Sequence, residues 1–240
     1  TGGIQFVTPP AGSNGIIGGF AYLTNPTTGS IDFAATPTAN TNVSAFGSST
    51  ALPTSGGLAT ANYLMSANTT TTAAQALNSL RMTGGVLTLG GSIQVTSTSA
   101  TTLGGIMLDN GLGSGTITGS TIQTSAANQE LIFVVGGSNA ANALTVASQI
   151  GASGSTGPVT KGGNGTLILS GTGVYTGGLY INSGTLRLSG ATVRVGLPAA
   201  ASQTFLRQDS VLDLNGAGPS AVLYSGTTTQ RPQVTFAPLM

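Results

Sequence analysis

The acidic side chains are the first place to look for catalysis, because paired carboxylates cleave glycosidic bonds and groups of carboxylates bind calcium. Only Asp209 and Asp213 lie close together in the sequence. Asp213 alternates with Leu212 and Leu214, which is typical of an outward position on a strand. We therefore expect no catalytic pair and no enzyme activity. The acids are Asp32, Asp109, Glu130, Asp209 and Asp213.

Side chains that act as general bases are equally sparse, and thiols are absent. The chain has no histidine and no cysteine, which excludes a Ser-His-Asp triad, thiol chemistry, disulfides and a zinc cluster. Lys161 is the only lysine and would have to serve any Ser-Lys pair or isopeptide bond, yet no acid neighbours it in the sequence. Its position before a Gly-Gly turn predicts a solvated corner instead.

Glycine-rich segments approach known ion-binding and phosphate-binding loops but lack their ligands. GGNGTLIL at residues 162–169 is close to a calcium-binding repeat, except that Thr, Leu and Ile follow Gly165 where an aspartate is needed. DNG at residues 109–111 predicts a turn. No glycine string continues into Gly-Lys-Ser/Thr, the phosphate-binding pattern. We expect no metal and no cofactor.

Charge and hydropathy exclude further classes of protein. Charged residues make up 5% of the chain, with Lys+Arg 6 against Asp+Glu 5, so the basic field that binds nucleic acid is missing. Hydrophobic residues at 39% and a mean hydropathy of +0.29 argue against disorder. No apolar run approaches the roughly 18 residues of a membrane helix, so we expect no membrane span.

A short phrase that alternates leucine with polar residues recurs along the chain. It reads GTLILSG at 165–171, GTLRLSG at 184–190 and VLDLNG at 211–216, with a looser GGVLTLGG at 84–91. The alternation predicts strands with one buried face, and recurrence at intervals of about 20 to 30 residues predicts a solenoid. The predicted β-helix core consists of Leu167, Leu169, Ile181, Leu186, Leu188, Leu212 and Leu214.

The sequence divides into three parts. Residues 1–60 are rich in proline and aromatic residues, so we expect an irregular, strand-containing cap or docking region at one end of the stack. Residues 61–226 predict the β-helix, and residues 227–240 predict a tail in which 233–236 form a detached strand. Residues 69–82 also fit a helical face, although the threonine run and the strand phrases after it favour continued coils.

Residues 161–190 carry a more specific pattern: Gly-x-Gly-Thr-Leu-x-Leu-Ser-Gly, then Tyr-Thr-Gly-Gly, then Asn-x-Gly-Thr-Leu. This segment resembles the autotransporter-associated β-strand repeat, also called the passenger-associated transport repeat, of large bacterial surface proteins. The resemblance implies an all-β, right-handed parallel β-helix. It also implies an extracellular location at the bacterial cell surface and a role as a stalk, adhesin or fibre.

Some positions that face outward in this family are apolar here. Ile168 stands where the next repeat has Arg187, Tyr180 replaces the usual threonine, and both faces of LIFVV at 131–135 are apolar. Outward apolar side chains in successive coils mark contact surfaces, whereas single exposed hydrophobes are ordinary. The candidate self-association patch consists of Leu131, Phe133, Ile168 and Tyr180.

Sparse charge and open strand edges together predict self-association, because nothing repels a second copy. The first function hypothesis is a surface protein that assembles head to tail into an extracellular filament, through strand addition or coil stacking. The alternative is a monomeric β-helical stalk or adhesin segment of a larger autotransporter-like protein that binds glycans. The expected partners are accordingly other copies of the chain, neighbouring repeats of a longer chain, or host and matrix glycans.

Overall fold

The chain folds as a parallel β-helix, which confirms the predicted fold class. The described part of the chain is all-β and has no helix, and hence no helix that could span a membrane. The computed structural model describes residues 3–96, 104–109, 113–137, 142–152, 157–175, 177–190, 194–195, 204–207, 209–217, 222–223 and 234–236.

Short strands alternate with tight corners along the chain. In chain order the strands are β1 (Tyr22–Thr24), β2 (Ile31–Phe33), β3 (Thr50–Ala51), β4 (Asn62–Met65), β5 (Thr69–Thr71), β6 (Gln75–Leu77), β7 (Ser79–Met82), β8 (Gly85–Leu89), β9 (Ile93–Val95), β10 (Gly105–Leu108), β11 (Gly115–Gly119), β12 (Thr121–Thr124), β13 (Leu131–Val135), β14 (Ala143–Val146), β15 (Gln149–Ile150), β16 (Val159–Gly162), β17 (Thr166–Leu169), β18 (Leu179–Ile181), β19 (Gly184–Gly190), β20 (Arg194–Val195), β21 (Thr204–Leu206), β22 (Ser210–Ala217), β23 (Val222–Leu223) and β24 (Val234–Phe236). Glycines with positive φ, such as Gly163 and Gly184, occupy corners where other residues would be strained.

Successive strands fall in turn into three parallel sheets, so the β-helix has three sides. The nine-stranded sheet has the order β24-β21-β18-β16-β13-β10-β7-β4-β3, and the seven-stranded sheet has the order β22-β19-β17-β14-β11-β8-β5. The four-stranded sheet has the order β15-β12-β9-β6, and β20 pairs with β23 in the later coils. Each coil therefore contributes one strand to each side in its regular part.

Pairing in register carries the alternation of side chains from coil to coil. Leu167 pairs with Leu144 of the preceding coil and Leu186 of the next, and all three are fully buried. One continuous apolar cluster therefore runs inside the coils. Burying each leucine contributes about 1.5–3 kcal/mol, while the backbone groups are satisfied between neighbouring strands.

The predicted core positions lie inside the coils, with one exception at the end. Leu214 is 51% exposed, so its prediction as a core residue was wrong. Arg187 pairs with Asp213, but the next pair joins Ser189 to Gly216, so β22 contains an extra residue at this point. Such a bulge interrupts the alternation of faces. Buried or partly buried in the core are Leu167, Leu169, Ile181, Leu186, Leu188 and Leu212.

Residues 3–47 form a small antiparallel unit around β1 and β2, here called the N-terminal region. It packs on the outer face of the nine-stranded sheet, not at the end of the stack as the sequence predicted. The first strand of the β-helix, β3, begins at Thr50, ahead of the predicted boundary at residue 61.

The two ambiguous segments both continue the β-helix. Residues 69–82 contain β5, β6 and β7 and no helix. β24 pairs in parallel with β21, so it belongs to the nine-stranded sheet and is not a detached strand. The remaining residues of the predicted tail, 227–233 and 237–240, lie outside the described residues.

Replacing one inward leucine tests the apolar core inside the coils directly. We expect Leu186→Ala to lower the free energy of unfolding by about 2–5 kcal/mol, because it leaves a cavity between coils. The matched control Leu214→Ala removes the same atoms from a position 51% exposed and should cost less than about 0.5 kcal/mol. Urea denaturation measures both, and equal losses would contradict the assigned facing.

Candidate functional site

The outer face of the nine-stranded sheet carries a buried apolar patch. Met107, Ile132 and Val134 point outward from β10 and β13, yet none is more than 1% exposed. They belong to a cluster separate from the core inside the coils. The N-terminal region covers this patch with Ile16, Ile31 and Phe33.

Leu131 and Phe133 lie inside the coils, so their prediction as outward patch residues was wrong. They are 3% and 0% exposed and belong to the inner core. Both faces of β13 are apolar, so the sequence does not reveal which face is inward. Leu131 pairs in register with Val159 of the next coil, and Val159 lies in the core, so Leu131 and Phe133 face inward.

Ile168 and Tyr180 are partly exposed but lie on different sides of the β-helix, so the four predicted residues do not form one patch. Ile168 belongs to β17 in the seven-stranded sheet, and Tyr180 to β18 in the nine-stranded sheet. Tyr180 stacks on Phe205 of the next coil, with ring centroids 4.7 Å apart and planes inclined by 10°. We call these two residues the aromatic pair.

Three charged side chains meet where the N-terminal region contacts the sheet. Arg81 points outward because its neighbours Leu80 and Met82 face the core. Its Nη1 lies 3.3 Å from Oδ2 of Asp32, and its Nη2 lies 2.6 Å from Oδ2 of Asp109. Asp32 comes from β2 and Asp109 follows β10, so the arginine joins the two parts of the chain.

Backbone amides complete the coordination of both carboxylates. Ile31 N donates to Asp109 Oδ1 at 2.9 Å. Phe33 N and Gly47 N donate to the two oxygens of Asp32 at 2.8 and 3.1 Å. Each carboxylate oxygen therefore accepts a hydrogen bond or ion pair, and both carboxylates are held between backbone amides and the guanidinium. The arrangement is suited to fastening two segments together.

This cluster is not predictable from sequence spacing, because its members are far apart in the chain. A local signal was present: Asp32 in IDF and Arg81 in LRM are single charges within apolar strands. An unpaired charge at such a position would be costly, so each needs a partner from elsewhere.

A polar cluster fastens the other end of the N-terminal region. Ser13 Oγ donates to Asn78 Oδ1 at 2.6 Å, and Asn78 Nδ2 donates to Asn62 Oδ1 at 2.7 Å. Ser79 Oγ also donates to Asn62 Oδ1, at 2.6 Å, and Asn62 Nδ2 donates to the carbonyl of Asn14 at 2.7 Å. Buried amides from two successive coils thus bind the same segment.

Lys161 is fully buried, so its prediction as a solvated corner was wrong. It pairs in register with Phe133 and Ile181, which both face the core. Its Nζ donates to the carbonyl oxygens of Gly163 at 2.5 Å, Ser183 at 2.7 Å and Gly162 at 3.2 Å. Burial lowers the pKa of Lys161 from 10.5 to about 7.

These contacts do not support a Ser-Lys pair at Lys161. A Ser-Lys pair needs a serine hydroxyl at the amine, whereas the acceptors around Nζ are backbone carbonyls. The amine instead closes the corner of two successive coils.

The glycine-rich loops contain no metal centre in the described part of the chain. No group of three or more acidic side chains there could hold an ion. In GGNGTLIL, Asn164 is exposed and Leu167 is in the core. Asp109 of the DNG segment binds Arg81, while residues 110 and 111 lie outside the described residues.

Clefts surround the N-terminal region. One of about 350 Å³ opens beside Asp32 and Arg81, and another of about 190 Å³ lies between Tyr22 and the corner at Gly163. A third, of about 310 Å³, is here called the apolar groove. Its lining includes Ile4, Phe6, Ile17, Phe20, Leu23 and Val43.

No protein-family model, curated protein or solved structure matches this chain. The resemblance of residues 161–190 to the autotransporter-associated repeat therefore stays a prediction.

Removing Arg81 should separate the fastened segments. Arg81→Met leaves two buried carboxylates without their cation, and we expect a loss of about 3–5 kcal/mol in the free energy of unfolding. Arg187→Met is the matched control, since the Arg187–Asp213 pair is 43% and 20% exposed and should be worth about 0–1 kcal/mol. Urea unfolding and limited proteolysis of residues 3–47 would measure the difference, and equal stability of the two variants would refute the fastening role.

Lys161 should make stability rise with pH. Between the folded pKa of about 7 and the unfolded value of 10.5, the unfolded chain binds more protons, so the free energy of unfolding increases by up to about 1.4 kcal/mol per pH unit. The chain has no histidine, cysteine or second lysine to titrate in this range. Denaturation between pH 7 and 9.5 should show the slope in the natural sequence and not in Lys161→Met; identical slopes would contradict it.

Proposed function

We propose that this protein is a structural component of the bacterial cell surface that assembles end to end into an extracellular filament. The observation that carries the proposal is an open first coil. The N-terminal region precedes this coil in the sequence but packs on the flank of the β-helix, and among the described residues β3 is an edge strand paired only with β4. A solenoid with an uncovered end presents strand edges to a second copy.

The first coil consists of β3 and the segment that follows it. β3 is the edge of the nine-stranded sheet and pairs with β4 on one side. The following segment runs along β5 and β6: Thr54 O accepts from Thr72 N at 2.8 Å, and Gly57 N donates to Gln75 Oε1 at 2.8 Å. Leu58 at its end is 63% exposed. This layer offers both a strand edge and an apolar contact.

The chemistry of this layer favours contact with another copy. No charged residue occurs between Asp32 and Arg81, so the usual charged protection of an edge strand is absent. Pro53 has no amide hydrogen and limits strand pairing to the residues before it. Coil stacking therefore contributes most of the contact, and strand addition along β3 contributes the register.

The opposite edge of the same sheet, formed by β24, can pair with the β3 edge of a second copy. β24 and β3 are the two edges of the nine-stranded sheet, and all its strands run in parallel. The β24 edge of one copy can pair with the β3 edge of the next in the same direction. Such a contact joins different surfaces and does not close on itself, so it generates a fibre.

The proposed location at the bacterial cell surface depends on the resemblance of residues 161–190 to the autotransporter-associated repeat. The same regular stacking up to β24 also supports the second candidate, a stalk or adhesin segment whose neighbouring repeats continue the coils within a longer chain. A purified chain that stays monomeric at high concentration would favour the stalk.

Charge placed on the open coil should abolish assembly. In Ala51→Lys with Leu58→Lys, here called the edge-charged variant, both positions are exposed, so the fold should persist while stacked copies repel. The control Val86→Lys with Thr88→Lys adds the same charge to an exposed flank on β8. Negative-stain electron microscopy should show filaments for the natural sequence and the control only. Filaments of unchanged length in the edge-charged variant would overturn the proposed contact.

A further inference from the structure

Two clefts border the turn between β1 and β2. The cleft of about 350 Å³ lies between this turn and the ion pair of Asp32 and Arg81. The cleft of about 190 Å³ lies between the turn and the corner at Gly163. Thr24, the last residue of β1, and Ile31, the first residue of β2, line both of them. The two clefts therefore adjoin at the base of the turn, and together they are here called the hairpin clefts.

The turn is held in one shape by its own hydrogen bonds. Asn25 N donates to the carbonyl of Ser30 at 2.8 Å, and Gly29 N donates to the carbonyl of Asn25 at 2.8 Å. Asn25 Oδ1 also accepts from the amides of Thr27 at 2.9 Å and Thr28 at 3.2 Å. An asparagine that accepts from the amides ahead of it stabilises a turn. This wall of the hairpin clefts is therefore formed before a ligand arrives, as is usual for small-molecule sites.

The opposite walls are fixed by charged groups that already have partners inside the protein. Asp32 is paired with Arg81 at the larger cleft, and these two are the only charged residues among the described residues that line either cleft. At the smaller cleft the Lys161 amine binds the carbonyl of Gly163 from within the coils. A phosphate, carboxylate or amine would lose its water in these clefts without gaining a free counter-ion. The hairpin clefts therefore suit an uncharged ligand.

Uncharged hydrogen-bonding groups line both clefts at accessible positions. Thr24 at the junction and Asn164 at the smaller cleft are exposed, and Tyr22 beside them is partly exposed. Neither the hydroxyl of Thr24 nor the amide of Asn164 forms a side-chain hydrogen bond within the described part of the chain. Glycines, which let a ligand approach the backbone closely, supply much of the remaining lining of the smaller cleft. They are Gly29, Gly136, Gly137 and Gly163.

A neutral sugar has the properties that this lining favours. Its hydroxyls both donate and accept, so they can bond hydroxyl and amide side chains that have no fixed partner in the protein. Its ring carbons form an apolar surface, for which the Tyr22 ring offers contact area beside a polar hydroxyl. The larger cleft alone is within the range of about 300–1,000 Å³ that is typical of small-molecule sites, and the smaller cleft extends it. The joined space therefore fits several linked sugar units.

We propose that the hairpin clefts bind a short neutral oligosaccharide. Tyr22 and Asn164 contact one end of the sugar chain, Thr24 contacts its middle, and the side of the larger cleft that carries Asp32 and Arg81 contacts the other end. The site is formed by the N-terminal region and the flank of the β-helix, not by the open first coil. Sugar binding therefore goes beyond the end-to-end contact of the proposed filament, and each can fail without the other.

The edge-charged variant is the right protein for a binding test, because stacked copies would bind a surface through many sites at once. Its two substitutions, at Ala51 and Leu58, lie outside the lining of the hairpin clefts. On a printed array we expect this variant to be retained by neutral oligosaccharides of hexoses or N-acetylhexosamines, and not by uronate or sulfated oligosaccharides. An array that retains it on no neutral oligosaccharide, or better on the acidic ones, would overturn the proposed site.

Substitutions at the clefts locate the bound sugar. Thr24→Val removes a hydroxyl and Asn164→Ala removes an amide, both at exposed positions, so the fold should persist and circular dichroism should be unchanged. Calorimetric titration with the neutral oligosaccharide that the array retains best should show a dissociation constant raised about 3–10-fold in each, the value of one hydrogen bond. Asn164→Trp fills the smaller cleft and should weaken binding further.

The control Gln149→Ala removes an exposed amide from the four-stranded sheet and should leave the dissociation constant unchanged. Unchanged binding in all three cleft variants, or an equal loss in the control, would place the sugar elsewhere and overturn the site. Neither result bears on the filaments, which are scored separately by electron microscopy.

Discussion

Parallel pairing in register between successive coils is the constraint on which the structure depends. Once a side chain points inward in one coil, its partner in the next coil points inward too, whatever its chemistry. Lys161 illustrates the strength of this rule, since it pairs with Phe133 of the preceding coil and Ile181 of the next and is buried with them inside the coils. Its amine reaches carbonyls at a corner instead of water, and the backbone is not displaced to release it. The stack thus fixes the facing of every residue in the regular coils.

Alternation in the sequence was sufficient to predict much of this stack. The phrases at 84–91, 165–171 and 184–190 each contain a strand, namely β8, β17 and β19. β16 was harder to predict because Lys161 interrupts its apolar alternation. Leu214 failed as a core residue for a different reason: the extra residue in β22 is set by pairing with the coil before it and leaves no signal in β22 alone.

The candidate site was less predictable, because its parts come together only in the folded chain. β13 is apolar on both faces, so the sequence did not reveal that Ile132 and Val134, and not Leu131 and Phe133, face outward; that orientation depends on the register with neighbouring coils. Asp32 and Asp109 appeared isolated until the N-terminal region placed them on either side of Arg81. Local patterns determine strands, whereas the position of a whole segment depends on contacts between residues that are distant in the chain.

The position of the N-terminal region also changes how the coils share stability. In a simple solenoid each repeat contacts only its neighbours, so repeats can peel away one at a time from either end. Here one segment binds Asn62 on β4, Arg81 on β7 and the apolar face of β13 simultaneously. Opening any of these coils disrupts contacts to all of them, which makes this half of the rod a single cooperative unit. We therefore expect unfolding to begin in the coils outside this unit and to reach the coils that contact the N-terminal region last.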